Sequence, residues 1–135
     1  MSAYVGDGSN RWPAVHRLDA AHLFRLALEK GSTGTIYHGV ADEGVPAREI
    51  AEVSGQRLKV PVVSKSSEQA AQHLGWIGHF FAMDGPASSA QTRNRLGWRP
   101  VQPGLIADLD NAHYFEQPAY AESMRDTRRN IQHRI

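Results

Sequence analysis

The stretch YVGDGSNRWPAVHRLDAAHLF, residues 4–24, decides how this chain is read. Inside it, "GDGSN" carries the Asp7-Gly8 pair, a strong turn signal between two extended runs, "SAYV" and "WPAVH". A hairpin is therefore expected there. Pro13 has no backbone donor, which puts the second run at a sheet edge. Asp19 stands where a helix N-cap belongs, its carboxylate placed to accept from the first unpaired amides. Ala20, Leu23, Phe24, Ala27 and Leu28 come next at helical spacing and predict one apolar face. Gly31 and Gly34 end that helix.

Working outward, "TIYHGV" (residues 35–40) is β-branched and aromatic, and predicts a short buried strand. "DEG" reads as a turn, with Pro46 in the first turn of a second helix lined by Ile50, Ala51, Ser54 and Leu58. "VPVVS" (60–64) predicts another strand. Ser66 with Gln69 forms a capping-box pattern opening a helix through His73 and Leu74. "WIGHFFAMD" reads as a short apolar helix, Ser88–Leu96 as a further helix closed by Gly97 in the left-handed conformation. A last helix begins at Pro103, with Leu105, Ile106, Leu109 and Ala112 on one face. The order is α/β, with few short strands and several helices. So many amphipathic helices need more apolar surface than these strands supply, which points to a missing partner domain.

Bulk composition narrows the function classes. The chain has 135 residues, 41% of them hydrophobic, enough for one small domain. Lys and Arg total 15 against 14 Asp and Glu, so no field-driven case exists for nucleic acid or membrane surfaces. Residues 117–135, with Arg125, Arg128, Arg129 and Arg134 against Glu122 and Asp126, form a polar, mildly basic tail after a domain spanning 1–116. There are no cysteines, which removes disulfides and thiol catalysis. Without a secretory signal pattern or an apolar run near the roughly 18 residues of a membrane span, a cytoplasmic location is expected. Seven histidines are present, but His16 and His22, like His73 and His79, are spaced to different faces of a helix, and no metal is expected.

The chain resembles the C-terminal, substrate-side half of the extended short-chain dehydrogenases, the NAD(P)-dependent epimerase/dehydratase family. Val15-His16 with Asp19 three residues on resembles that family's V-H-x-x-D junction, and "RLGWRP" (95–100) its late L-G-W-x-P signature, with "GLIADL" after it. Between them, "GTIYHGV" is similar to the strand G-x-x-Y-x-V and "VPAREIAEVSGQRL" to the next helix. The resemblance runs over roughly residues 2–112. It implies part of a Rossmann-type oxidoreductase whose intact form binds NAD or NADP. It also implies a substrate bearing a carbonyl or hydroxyl group, such as a sugar nucleotide.

Two of the family's motifs are not in this sequence. The G-x-x-G-x-x-G phosphate turn is replaced by Gly6 and Gly8 in a hairpin-like turn, and no tyrosine is followed four residues later by lysine. No cofactor site and no catalytic residues are therefore assigned to this chain. By position, the resemblance implies that Asn10, Arg11, Trp12 and His16 line the substrate cleft, with Arg93 near it. Arg11 reads either as a bidentate partner for phosphate or carboxylate or as a solvated turn residue. Trp12 either stacks on a ring or covers core, and His16 and Arg93 have equally plain structural readings. In sugar-nucleotide members an arginine stands four residues before the histidine; here that place holds Trp12. Two functions remain open: the substrate-binding portion of such an oxidoreductase, whether native or a fragment of a longer gene, or a derived interaction module that self-associates or meets a nucleotide-binding domain.

Overall fold

The computed structural model describes residues 1–111, 113 and 115; the tail expected over 117–135, Ala112 and the two later tyrosines lie outside the described residues. Strands β1 (Ser2–Val5), β2 (Arg11–Ala14), β3 (Asp42–Pro46) and β4 (Val62–Lys65) interleave with helices α1 (Arg17–Lys30) and α2 (Ala47–Leu58). Helices α3 (Ser67–Leu74), α4 (Ile77–Phe81), α5 (Ala90–Leu96) and α6 (Leu105–Leu109) complete the order.

The expected β1–β2 hairpin does not form. β1 pairs in parallel with β4, Ser2 opposite Val62, and β2 pairs antiparallel with β3, Trp12 opposite Val45. The Asp7-Gly8 turn instead carries the chain from one two-stranded sheet to the other. Gly6 and Gly8 both take positive φ there, which explains two glycines so close together. The β2–β3 register slips between Trp12 and Ala14, at the proline that has no amide to donate. α2 packs over β1 and beside β4, and the Ser2 hydroxyl donates to the Ala51 carbonyl at 2.8 Å.

Segment 35–40 is not a strand; β3 lies further on, over "DEGVP", its "DEG" expected to turn, and Pro46, expected inside the first turn of α2, ends β3 as the residue capping that helix. A strand exists only by pairing, and among the described residues segment 35–40 pairs with no ladder partner. It keeps the alternation of one all the same. Tyr37 faces inward against the core, while Ile36 and His38 face out.

The principal core joins α1 to the end of α5: Leu23, Leu26, Leu96 and Trp98, with Val15, Ala27 and Tyr37 against them. Trp98 is fully buried and donates its indole N–H to the Asp19 carbonyl at 3.0 Å. Gly97 closes α5 with φ 67°, its amide bonded to the Arg93 carbonyl, as its place after the helix predicts. The capping box at Ser66 and Gln69 forms as the pattern predicts.

Two readings of α1 need correction. Its N-cap is His16, whose ring accepts from the Leu18 amide, while Asp19 lies in the first turn. Asp19 is 2% exposed, and its carboxylate accepts from the Val101 and Gln102 amides, both at 3.0 Å. The acid thus holds a distant loop rather than its own helix. The buried stripe of α1 runs through Asp19, Leu23 and Leu26, leaving Phe24 73% and Leu28 88% exposed.

Candidate functional site

Asn10, Arg11 and Trp12 converge on the segment after α4. The Asn10 amide donates to the Phe81 carbonyl at 2.8 Å and the Met83 carbonyl at 3.2 Å. Arg11 donates Nε and Nη2 to the two oxygens of Asp84, at 3.1 and 3.0 Å, and its backbone amide donates to Oδ1 at 2.7 Å. The fork-on-fork geometry raises the guanidinium pKa and holds the Asp84 carboxyl below the ordinary aspartate range, hydrogen bonding from Arg11 being the main cause. The Trp12 indole donates to the Met83 carbonyl at 3.2 Å, and its ring meets Phe81 edge-on, centroids 4.9 Å apart. These three residues form a clamp.

His16 and Arg93 stand apart from it. His16 Nδ1 is used as the α1 cap, which leaves the proton on Nε2, facing Asp108 of α6 at 3.9 Å. Arg93 donates Nε to the Ser89 hydroxyl at 2.9 Å and Nη2 to the Val40 carbonyl at 3.4 Å, and its guanidinium lies 5.9 Å from the Trp98 ring centre. It stitches α5 to the end of segment 35–40. The five expected site residues are thus three in one clamp and two in separate structural ties.

Two concavities flank this framework. One, of about 270 Å³, lies between β1, α2 and the clamp, walled by Trp12, Phe81, Ala47, Ile50, Ala51 and Ser54. The other, an open cleft of about 520 Å³, runs between segment 35–40 and the start of α5, with Ile36, His38, Ser88, Gln91 and Thr92 on its walls. Ser88 donates to Glu43 at 2.7 Å, and His38 Nδ1 sits 3.3 Å from the Ser88 carbonyl.

The glycine turn does not fit a dinucleotide. A Cβ at Gly8 would fall 2.5 Å from Arg48 Cβ and 2.8 Å from the Tyr4 ring, so this glycine makes room for α2 and β1. The next element after the turn is β2, and the N-terminus of α2, which does meet the turn, spends its Ala47 and Arg48 amides on the Asn10 and Gly8 carbonyls, at 2.8 and 3.1 Å, rather than leaving them as a phosphate cradle. Among the described residues no three His, Cys, Asp or Glu side chains group to hold a metal, and no helix is long and apolar enough to cross a membrane.

Sequence reading missed Asp84, Phe81 and the long-range duties of Asp19 and Asp42. Asp42 accepts from the Leu105 amide at 2.7 Å and so caps α6 from sixty-three positions away. Only Asp84 carried a local signal, as an acid directly after an apolar segment and before Gly-Pro.

No family model matches the chain. Two curated proteins do. The chain is 54% identical over 115 residues to an uncharacterised protein of Schizosaccharomyces pombe (C2A9.02), covering 85% of this chain and 39% of that protein. It is 53% identical over 108 residues to an uncharacterised protein of Saccharomyces cerevisiae (YLL056C), covering 80% of this chain and 36% of the other. The chain therefore spans less than two fifths of either relative.

Among solved structures, the dTDP-glucose 4,6-dehydratase DesIV of Streptomyces venezuelae, crystallised with NAD and TYD bound, overlays with a TM-score of 0.58. Identity is 23%, over 80% of this chain and 31% of that one. RMD from Pseudomonas aeruginosa, complexed with NADPH, overlays at 0.49 with 17% identity, over 82% of this chain and 36% of that one. The chain shares the fold of part of that dehydratase. In sequence it is similar to the two uncharacterised yeast proteins.

Proposed function

We propose that this chain is the substrate-side, C-terminal portion of an extended short-chain dehydrogenase-like oxidoreductase, of the epimerase/dehydratase type, and works only when docked on a nucleotide-binding portion. The observation that carries this reading is the uncovered unit formed by α1 and segment 35–40. Ile36 is 81% exposed, beside a helix presenting Phe24 and Leu28 to water. The segment has strand composition and strand alternation without a ladder, and the His38 amide donates to the Thr92 hydroxyl where a strand would find a carbonyl. Unpaired edges and large apolar patches are features that proteins cover. The sheet of a nucleotide-binding portion supplies both the missing neighbour and the apolar surface. The L-G-W-x-P residues add support, since Leu96 and Trp98 build the core that orients this unit.

The test is a titration with NADH and NADPH, first of the chain alone and then of the chain co-expressed with the remaining three fifths or so of the S. pombe relative. Alone, no saturable micromolar binding is expected; together, the two parts co-purify and bind one of the cofactors. Saturable micromolar binding by the isolated chain, or failure of the parts to associate, overturns the reading.

A further inference from the structure

We infer that the cavity walled by Trp12 and Phe81 binds a compact, uncharged ring compound, and that this site is not built for a nucleoside diphosphate. This deepens the reading above by naming a substrate class, and rests on that reading only for calling the ligand a substrate. None of the residues lining the cavity carries a charge. The two cations adjacent in sequence to lining residues are already engaged, Arg11 by both oxygens of Asp84 and Arg48 by Glu52 at 2.7 Å. A diphosphate would enter without a counter-charge and would lose its hydration for nothing in return.

An apolar ring meets the opposite conditions. Ala47 and Ala51 of α2 are small and buried, and that is what leaves the space open. Ile50 supplies an aliphatic wall, while Trp12 and Phe81 already meet edge to face, a geometry a third aromatic or alicyclic ring extends. The hollow is open on one side, and its volume of about 270 Å³ compares with roughly 150 Å³ for an enclosed engineered apolar cavity that takes up benzene, so a ring enters with one face left to water. A two-ring molecule fits it. Ser2 and Ser54 bring hydroxyls to the lining; that of Ser2 donates to the Ala51 carbonyl at 2.8 Å, and that of Ser54 can meet a single carbonyl or hydroxyl group. The clamp fixes the opposite wall, because Asn10, Arg11 and Trp12 together pin the backbone at 81–84.

The chain carries three tryptophans, and they make the experiment self-controlled. Trp12 lines the cavity, Trp98 is fully buried elsewhere, and Trp76 is 73% exposed on the apolar surface of α4. The full chain is labelled with ¹⁵N and its indole N–H resonances, assigned with Trp12→Phe, are tracked during titration with 1-indanone and, separately, with thymidine diphosphate. Indanone is expected to shift the Trp12 resonance saturably in the millimolar range, leaving Trp98 in place, while thymidine diphosphate moves neither. Ala51→Leu and Ser54→Leu fill the cavity from two positions and should weaken indanone binding by about tenfold or more. An unchanged Trp98 resonance certifies that each variant is folded, and either variant alone suffices.

No Trp12 shift with indanone, or a shift confined to Trp76, overturns the inference. So does a Trp12 shift by thymidine diphosphate, or indanone binding that survives the filling of the cavity. Because binding is read in the chain alone, its failure is separate from failure to dock on a nucleotide-binding portion.

Discussion

The face built on Asn10, Arg11 and Trp12 and the face built on α1 with segment 35–40 treat their groups in opposite ways. On the first, the side chains that sequence offers for a ligand are consumed internally. Arg11 has its carboxylate, Trp12 and Asn10 their carbonyls, and what remains open is an uncharged hollow. On the second, Phe24, Leu28 and Ile36 are left bare, and a strand-like segment has no ladder among the described residues. In the reading proposed above, recognition of a small molecule belongs to the first face, and recognition of protein to the second. The difference shows that a polar residue's type says little about its availability, whereas several large apolar side chains left uncovered on one unit are informative, because a patch of them is costly in water.

The largest expected effect comes from what holds the bare unit in place from within. Trp98→Ala empties the core between α1 and α5 and should cost about 3–5 kcal/mol, read as a fall in the denaturant midpoint. If stability barely changes, α1 is held by something other than the core assigned here, and the distinction between an ordered inner side and a bare outer side collapses. Asp19→Ala comes next, at about 2 kcal/mol, because the Val101 and Gln102 amides both lose their acceptor. Asp19→Asn keeps one acceptor oxygen and should recover part of that loss in the same measurement.

A smaller effect separates the clamp from the rest by pH. The Asp84 carboxyl is held below its ordinary value of 3.8, first by its side-chain hydrogen bond with Arg11 and then by the Arg11 amide. For a depressed carboxylate the contribution to the fold is complete above the ordinary value and is lost as pH falls through the lowered one. The Trp12 indole resonance should therefore move on acidification below about 4, ahead of Trp98, whose partner is a backbone carbonyl. Asp84→Asn should abolish that early movement. Simultaneous movement of both tryptophans in the wild-type chain would mean that clamp and core are one cooperative unit.

Much of the local structure was legible in the sequence, because its causes are local. The Ser66–Gln69 box, the Gly97 stop and the alternation of helices and strands each depend on residues within a turn of one another. Pairing is not local, so Asp7-Gly8 promised a hairpin between strands that in fact join different partners. Segment 35–40 shows the same limit from the other side: β-type residues set a preference, and a ladder needs a neighbour. Of the five positions that sequence offered for a site, three gather and two do not, and none of their partners was legible. Asn10, Arg11 and Trp12 do come together, but their partners lie some seventy residues on, where no periodicity in the sequence points.

The smallest effect on the chain itself is the one that bears hardest on the bare face. Phe24→Ser together with Leu28→Ser removes two large side chains that contribute little burial in the isolated chain, so its denaturant midpoint should stay within about 0.5 kcal/mol of wild type. The same pair of changes should reduce binding of a dye for exposed apolar surface and abolish co-purification with the rest of the S. pombe relative. Both side chains lie on the side of α1 away from the Leu23 and Leu26 stripe, and association would bury them. A large loss of stability would place these residues inside a fold that hides them, contrary to their exposure. Unimpaired co-purification would shift the docking surface away from α1, onto the outward face of segment 35–40 marked by Ile36 and His38, and Ile36→Lys would then be the change that breaks it.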